Sequence, residues 1–190
     1  MAQSGAPLRF SPQLAWFAVA TLIGGGCDLQ SKSWALSTLG EVPGQAMMLV
    51  EPWLELELTY NRGTAFSLIP DLGASRLVFG VIAIAVVVLL AFMVARWKSD
   101  RVEAIALGAL AGGALGNGLD RALREAPGGG TGVIDFIKLN YPWGGNWPIF
   151  NIADALVLVG VAVLLLRRMR AVEEDAAPGA GAGATATAGG

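Results

Sequence analysis

The sequence contains no histidine and a single cysteine, Cys27, among its 190 residues. Without histidine, a Ser-His-Asp or Cys-His catalytic site and a histidine-ligated zinc site are excluded. One cysteine cannot close a disulfide within the chain. Any catalysis must therefore use carboxylates, lysine, hydroxyl groups or the lone thiol.

Charge is also scarce. Charged residues make up 15% of the chain, whereas soluble globular domains contain about a quarter. The formal net charge of −2 is too small to indicate a nucleic-acid partner. Hydrophobic residues account for 54% of the sequence and the mean hydropathy is +0.57. This composition indicates a membrane protein.

Four apolar segments predict a membrane all-α bundle of four transmembrane helices. Only one segment, "LVFGVIAIAVVVLLAFMVA" at residues 77–95, approaches the ~20 apolar residues that a spanning helix needs. The other three reach that length only if their polar ends are protected inside a bundle. We expect spans at about residues 13–36, 76–96, 101–119 and 151–168.

The basic residues orient these spans. Seven of them flank the ends that would share one side of the membrane: Arg9, Arg96, Lys98, Arg101, Arg167, Arg168 and Arg170. Because cytoplasmic loops carry an excess of Lys and Arg, both termini are expected in the cytoplasm. Two longer segments, about residues 40–75 and 120–151, then face the outside.

The first outer segment has the pattern of a strand. In "WLELELTYN", Leu54, Leu56, Leu58 and Tyr60 alternate with polar residues, which is the period of a half-buried strand. With "MMLV" upstream, the region of about residues 45–70 predicts a small extracytoplasmic antiparallel β-sheet. The membrane-embedded domain is expected to cover residues 1–172, followed by a disordered Ala/Gly-rich tail at 173–190.

Cys27 invites another interpretation. Arg9, the apolar run and "GGGCD" are similar to a bacterial lipoprotein signal that ends at the cysteine. Such signals usually have a leucine-like residue three positions earlier, where this chain has Gly24, and a mature lipoprotein would not need three further spans. We expect Cys27 to be a packed thiol.

Polar residues gather at the expected outer ends of the spans, and most have a structural interpretation. Asp28 and Lys32 are spaced to pair on one helix face, and Asp120 can pair with Arg121 or Arg124. Other structural roles are a turn cap at Asn61, a positive φ at Gly63, interhelical hydrogen bonds from Asn117 and Asn151, and close packing at the G-x-x-x-G pair Gly112 and Gly116.

Asp135 and Asp154 differ from the rest because neither has a basic neighbour at helical spacing, unless Lys138 reaches Asp135 in a short helix. Unpaired carboxylates near a membrane usually have a function. A proton-coupled transporter could use such a pair, but "LVLVGVAVLLL" after Asp154 offers no polar route inward. A catalytically silent scaffold is a third interpretation.

Five blocks in order, "DLQSK", "NRGTAFSL", "GGALGNGLDR", "VIDF" and "FNIADA", resemble the lipoprotein signal peptidases, the signal peptidase II family. Two departures are Leu29, where the family often has a polar residue, and "ALREAPGGGTG", a longer connector whose glycines predict a mobile loop.

The resemblance implies an aspartic endopeptidase of the bacterial cytoplasmic (inner) membrane, with its active site at the periplasmic side or outer leaflet. It would cut prolipoproteins before a diacylglyceryl-modified cysteine, as a monomer in contact with membrane lipids, without a metal, a cofactor or nucleic acid. The catalytic pair falls on Asp135 and Asp154. The supporting residues are Asp28, Lys32, Asn61, Gly63, Asn117, Asp120, Arg121 and Asn151.

Overall fold

The structure is a computed structural model, which describes residues 11–63, 74–97 and 99–176. Within these residues it contains four α-helices and three strands. They are α1 (Pro12–Leu39), β1 (Ala46–Val50), β2 (Leu54–Asn61), α2 (Ala74–Arg96), α3 (Arg101–Leu123), β3 (Val133–Leu139) and α4 (Ile152–Ala176). Helix α4 continues past the boundary expected at residue 172. The rest of the tail, and the part of the outer segment at 64–70, lie outside the described residues.

Side-chain caps begin two of the helices. The hydroxyl of Ser11 accepts a hydrogen bond from the Leu14 N–H at 3.2 Å, and Pro12 occupies the first turn of α1. The carboxylate of Asp100 accepts from the Glu103 N–H at 3.0 Å at the start of α3. Such caps satisfy N–H groups that have no partner within the helix, and Asp100 separates α3 from α2.

Helix α3 is central because it packs against each of the other three helices. Small residues allow this approach: a Cβ added to Gly112 would lie 2.9 Å from the Gly25 nitrogen of α1, and one added to Gly113 would lie 2.6 Å from the Ala153 carbonyl oxygen of α4. A Cβ on Gly116 would collide with Asp28. The predicted close-packing face at Gly112 and Gly116 is confirmed, and it meets α1.

The closeness of α1 and α3 predicts a large effect of one methyl group. Gly112→Ala forces the two backbones apart and is expected to lower the free energy of unfolding by about 1–3 kcal/mol. The matched control is Gly26→Ala, because a Cβ there meets no atom within 4 Å and alanine favours a helix over glycine by about 0.5–1 kcal/mol. Thermal unfolding in detergent compares the two; equal stability of both variants would contradict this packing.

The outward faces of the four helices are apolar. Exposed large side chains include Leu22 and Ile23 on α1, Leu77, Ile84 and Val88 on α2, Val102 and Leu123 on α3, and Leu158 and Leu165 on α4. Helices α2 (from Arg76) and α3 are long and apolar enough to cross a membrane by length and composition, the two that qualify among the described residues. Helices α1 and α4 do not meet the same test, and the four-span arrangement stays a prediction.

Cys27 corrects one expectation. Its side chain is exposed on α1, so the prediction of a packed thiol is wrong. The reason is helical geometry: Gly24, Gly25 and Asp28 form the buried face of this turn, and Cys27 lies about 100° around the axis from Asp28.

The predicted strand in "WLELELTYN" is confirmed as β2, the centre of an antiparallel sheet in the order β1-β2-β3. Leu56 pairs with Ile137 and Thr59 pairs with Asp135, so β2 has one extra residue between these pairs. Such a bulge bends a strand and re-aims its side chains. The sheet packs on the end of α1 through a buried cluster of Ala35, Leu39, Leu56, Leu58, Ile134 and Phe136.

Candidate active site

A buried lysine organises the polar end of the bundle. The Lys32 ammonium donates to Asp28 Oδ2 at 2.6 Å and to Asn117 Oδ1 at 2.7 Å, and it lies 3.2 Å from Asp120 Oδ2. The side chains of Lys32 and Asp28 are fully buried. Two hydrogen bonds and one ion-pair contact therefore surround an ammonium group that has three N–H bonds.

The two acidic partners of Lys32 are also tied to other elements. Asp120 Oδ1 accepts from Arg124 Nε at 2.7 Å, and Asp28 Oδ1 accepts from the Ala153 N–H of α4 at 2.8 Å. Two carboxylates thus meet two cations, which suits a site with little solvent. The expected pairing of Asp28 with Lys32 is confirmed, and Asp120 pairs with Arg124 rather than Arg121.

Asn151 lies at the centre of a second network. Its side-chain NH₂ lies within hydrogen-bonding distance of three acceptors: Asp135 Oδ1 at 2.6 Å, Asn117 Oδ1 at 3.1 Å and the Ile134 carbonyl oxygen at 3.2 Å. Its own Oδ1 accepts from the Asp154 N–H at 3.0 Å. Asn117 and Asn151 therefore link α3, α4 and β3, as the interhelical interpretation predicted, but they also contact both candidate catalytic aspartates.

Asp135 and Asp154 are held by amides. Asp135 Oδ2 accepts from Asn61 Nδ2 at 3.0 Å, and Asp154 accepts from Asn117 Nδ2 at 2.8 Å and from the Asn151 N–H at 3.2 Å. Among the described residues, neither aspartate has a cation within ion-pair distance. One residue, Asn151, contacts both, so two carboxylates remote in the chain lie near each other, and no cation of the described residues neutralises either of them.

The proximity of Asp135 and Asp154 depends on how the chain enters α4. Residue Phe150 pairs with Ile137 of β3: its N–H donates to the Ile137 carbonyl at 3.0 Å, and its carbonyl accepts from the N–H groups of Phe136 and Ile137 at 3.1 and 2.9 Å. This short antiparallel bridge places the residue after Phe150, Asn151, beside Asp135. The first turn of α4 then brings Asp154 to the same place.

The environment of Asp135 favours its protonated form. Burial raises the pKa of the Asp135 carboxyl from 3.8 to about 6, the nearby charge of Asp154 adds to the rise, and the hydrogen bonds from Asn61 and Asn151 oppose it. A desolvated carboxyl with a like charge nearby is the arrangement that allows one proton to be retained by a pair near neutrality. Such a proton belongs to the pair as a whole.

Two predicted site residues are placed differently from the rest. Gly63 has a φ of 72° and donates from its N–H to Asn61 Oδ1 at 2.9 Å, so it shapes the turn that holds Asn61. Arg121 lies with its guanidinium 5.6 Å from the centre of the Phe79 ring, and within the described part of the chain it makes no contact with the aspartates. The structure does not bring Arg121 into the network.

Lys138 is not a partner of Asp135. Because the segment is a strand and not a short helix, Lys138 lies on the other side of β3 and binds Glu57 Oε2 at 2.6 Å and Glu55 Oε2 at 3.1 Å.

The sequence did not predict that the Ala153 N–H holds Asp28, since backbone groups carry no sequence signal. It also left the choice between Arg121 and Arg124 open.

The connector after α3 forms a hydrogen-bonded hairpin at the rim of the site. Glu125 bridges Thr131, the Ala126 N–H donates to the Gly130 carbonyl at 3.0 Å, and the Arg62 guanidinium donates to the Pro127 carbonyl. Residues 128–130 are glycines with positive φ, which allows the reversal. The hairpin is thereby attached to the end of β2, next to Asn61.

Known proteins match this chain over most of its length. A family model described as "Signal peptidase (SPase) II" matches residues 18–170. The lipoprotein signal peptidase of Syntrophomonas wolfei subsp. wolfei is 38% identical over 141 residues, which cover 73% of this chain and 83% of that protein. That of Aquifex aeolicus is 40% identical over 121 residues, covering 62% and 67%.

Two solved structures share the fold. Both are described as a bacterial membrane enzyme structure by the in meso method; one aligns with a TM-score of 0.67 at 23% identity, covering 84% of this chain and 91% of that one. The other aligns with a TM-score of 0.66 at 24% identity, covering 80% and 92%. From the family match and the identity to its relatives, the chain belongs to the signal peptidase II family.

Proposed function

We propose that this protein is a membrane-embedded aspartic endopeptidase that removes signal peptides from prolipoproteins. It cuts before the diacylglyceryl-modified cysteine, at the outer face of the bacterial cytoplasmic membrane. Membership of the signal peptidase II family supports signal-peptide removal from prolipoproteins at this membrane. The observation that carries the aspartic mechanism is the contact of both Asp135 and Asp154 with Asn151, without a cation on either carboxylate among the described residues.

The contacts at the ends of the helices support four spans with both termini on one side. The Arg101 guanidinium lies 3.9 Å from the centre of the Trp16 ring in the first turns of α1, and Arg167 in the second half of α4 pairs with Asp100. This end of the bundle also carries Arg96 at the end of α2, and its excess of basic residues supports a cytoplasmic position for it. The aspartates lie at the opposite end.

The tryptophans are distributed as a spanning bundle requires. Trp16 and Trp97 lie at the basic end, Trp34 lies near the other end of α1, and Trp53, Trp143 and Trp147 lie in or beside the sheet. All six are exposed or nearly so. Tryptophan is enriched at both membrane–water interfaces, which fits helices that cross the bilayer between these two groups.

The hydrolysis follows from one shared proton. Ionised Asp154 accepts a proton from a water molecule, whose oxygen attacks the scissile carbonyl carbon, while protonated Asp135 donates its proton to the carbonyl oxygen. The resulting gem-diol then returns a proton to Asp135 as the C–N bond breaks, and Asp154 gives its proton to the departing cysteine amine. The pair is restored with one proton, ready for another cycle.

The asparagines orient the pair. Asn61 and Asn151 hold the two oxygens of Asp135, and Asn117 holds Asp154 while accepting a hydrogen bond from Lys32. The buried cluster of Lys32 with Asp28 and Asp120 thus acts on the site through Asn117. Supporting residues that fix catalytic rotamers in this way preserve the productive geometry.

The distribution of buried polar side chains argues against a proton-conducting transporter. Among the described residues, the buried polar side chains away from the aspartate end are Thr21 and Ser99. The Thr21 hydroxyl is already used, within 2.8 Å of the Phe17 carbonyl oxygen and 3.2 Å of that of Gly108. A chain of proton carriers toward the cytoplasm is missing from the part of the bundle that the structure describes.

The direct test is cleavage by the purified protein in detergent. Incubation with a diacylglyceryl-modified prolipoprotein should release the leader peptide and leave a lipidated cysteine at the new N-terminus, which mass spectrometry identifies. The unmodified prolipoprotein is the matched control substrate, and a chelator should not slow the reaction. Release of the leader at another peptide bond, or its loss on chelation, would refute the proposal.

The raised pKa of Asp135 predicts a pH dependence. Because the reaction needs Asp135 protonated, kcat/KM should fall as the pH rises above about 6. The hydrogen bond from Asn61 lowers this pKa, so Asn61→Ala should move the falling limb to higher pH. Asn140→Ala is the control, since Asn140 binds Glu55 and not the aspartates. A limb that moves to lower pH in Asn61→Ala, or that moves equally in both variants, would be inconsistent with the assignment of the proton.

A further inference from the structure

The end of the sheet remote from the aspartates exposes a cluster of large apolar side chains, here called the aromatic tip. It consists of Met48, Leu49, Val50, Trp53, Leu139, Trp143 and Trp147. Trp143 is 82% exposed, Trp147 52% and Trp53 51%. Isolated exposed apolar residues are ordinary, but a contiguous patch with three tryptophans marks an interaction surface.

Backbone hydrogen bonds join the parts of the aromatic tip. The Asn140 N–H donates to the Trp53 carbonyl at 2.8 Å, and the Trp147 N–H donates to the Leu139 carbonyl at 2.8 Å. The Trp143 ring stacks on Tyr141, with ring centres 5.5 Å apart and planes within 5°. The turn between β1 and β2 and the loop after β3 therefore present their tryptophans as one surface.

The aromatic tip is not part of the candidate active site. Strand β2 runs from Leu54, beside the tip, to Asn61, which binds Asp135. At about 3.3 Å per residue, the seven steps between them span roughly 23 Å. No contact with either aspartate involves a residue of the tip within the described part of the chain, so its exposure needs a separate explanation.

We propose that the aromatic tip inserts into the interfacial region of the outer leaflet and anchors the sheet to it. This inference rests on the proposed four-span arrangement. The sheet packs on the outer end of α1, where Trp34 and Leu36 are 44% and 36% exposed, so exposed apolar side chains lie both on this end of the helix and on the sheet beside it. An indole combines a large apolar ring with one N–H donor and is best placed among lipid headgroups.

The charges near the tip limit how deeply it inserts. Glu55 and Glu57 are both paired with Lys138, but Glu51 in the turn is exposed and has no ion-pair partner among the described residues. An unpaired carboxylate is costly in hydrocarbon and tolerated among headgroups. The tip therefore lies at headgroup depth, and through β2 and β3 it fixes the height of Asp135 relative to the leaflet that holds the lipidated cysteine.

Depth-dependent fluorescence quenching tests the position of the tip. A variant that keeps only Trp143, with the other five tryptophans replaced by phenylalanine, is reconstituted in phosphatidylcholine vesicles brominated either near the headgroup or deep in the acyl chain. We expect blue-shifted emission and stronger quenching by the shallow bromines. The matched variant keeps only Trp97, at the other end of the bundle.

The outcomes of the quenching experiment distinguish failure of the membrane anchor from failure of the four-span arrangement. If Trp97 is quenched by brominated lipid while Trp143 is quenched only by aqueous acrylamide, the tip faces water, as a protein-docking surface would, and the anchor is refuted while the spans remain. If neither tryptophan is quenched by lipid, the four-span arrangement fails, and the anchor with it. Leader cleavage in detergent tests the proposed function independently of both results.

A second measurement asks whether the anchor matters for turnover. The double variant Trp143→Ser with Trp147→Ser should show kcat/KM lower by about tenfold, a loss of roughly 1.4 kcal/mol, for prolipoprotein in vesicles, and unchanged kcat/KM in detergent micelles. Trp97→Ser is the control for loss of an exposed tryptophan. An equal loss in vesicles and micelles would mean that the tryptophans only stabilise the fold, and no loss in vesicles would also refute the anchor.

Discussion

Asparagine in place of Asp135 or of Asp154 is expected to lower kcat for prolipoprotein cleavage by roughly a thousandfold or more, near the limit of detection. In each variant the pair loses its ability to hold one proton and one negative charge at once. Without a base at Asp154 the water is not activated, and without an acid at Asp135 the carbonyl oxygen is not protonated. The measurement is single-turnover release of the leader in detergent.

Asparagine nearly preserves the size of aspartate, so both variants should remain folded. Far-UV circular dichroism and the thermal unfolding temperature check this directly. Glu55→Gln is the matched control, because Glu55 is a carboxylate of the same sheet that binds Lys138 and Asn140 rather than the pair. Near-normal cleavage by either asparagine variant, while folded, would refute the dyad.

Lys32→Met is expected to be the most destabilising single change in the bundle, costing about 3–5 kcal/mol of unfolding free energy. The methionine fills a similar volume, but the buried carboxylates of Asp28 and Asp120 lose the ammonium that lies 2.6 and 3.2 Å from them. A buried charge without its partner is far more costly than the pair is stabilising. Thermal or denaturant unfolding in a fixed detergent measures the difference.

Two further variants isolate this effect. Lys138→Met removes an ion pair whose members are partly exposed and should cost at most about 1 kcal/mol. Adding Asp28→Asn to Lys32→Met removes one of the orphaned charges and should restore part of the stability, a non-additive result typical of contacting residues. Additive losses in the double variant would show that Asp28 and Lys32 do not interact as the contacts indicate.

Features with a short-range origin could be predicted from the sequence. The apolar segments predicted helices whose bounds agree with the structure to within a few residues at most ends, and the alternation in "WLELELTYN" predicted β2. Asp28 and Lys32 are four residues apart on one helix, so their pairing needed no tertiary information. The spacing of Gly112 and Gly116 likewise predicted a close contact between helices, but it did not indicate that the partner would be α1.

The wrong prediction and the open choices all concern the side of a helix or strand on which a side chain lies. Cys27 was expected inside, but neighbouring Gly24, Gly25 and Asp28 occupy the buried face of α1. Lys138 could pair with Asp135 only if the segment were helical. The segment is a strand, and Lys138 pairs with Glu55 and Glu57 instead. Because residues 14–27 of α1 are almost uniformly apolar, periodicity could not distinguish the exposed side of this part of the helix from its packed side.

The sequence by itself determined the helical segments, the central strand, the local ion pair and the family, because each depends on neighbouring residues or on ordered sequence blocks. Only the tertiary structure decided that Asn151 contacts both aspartates and that Lys32 has two further partners on α3, Asn117 and Asp120. These contacts depend on the close approach of α3 to α1 and α4 and on the pairing of Phe150 with Ile137. Such long-range packing leaves no periodic pattern in the chain.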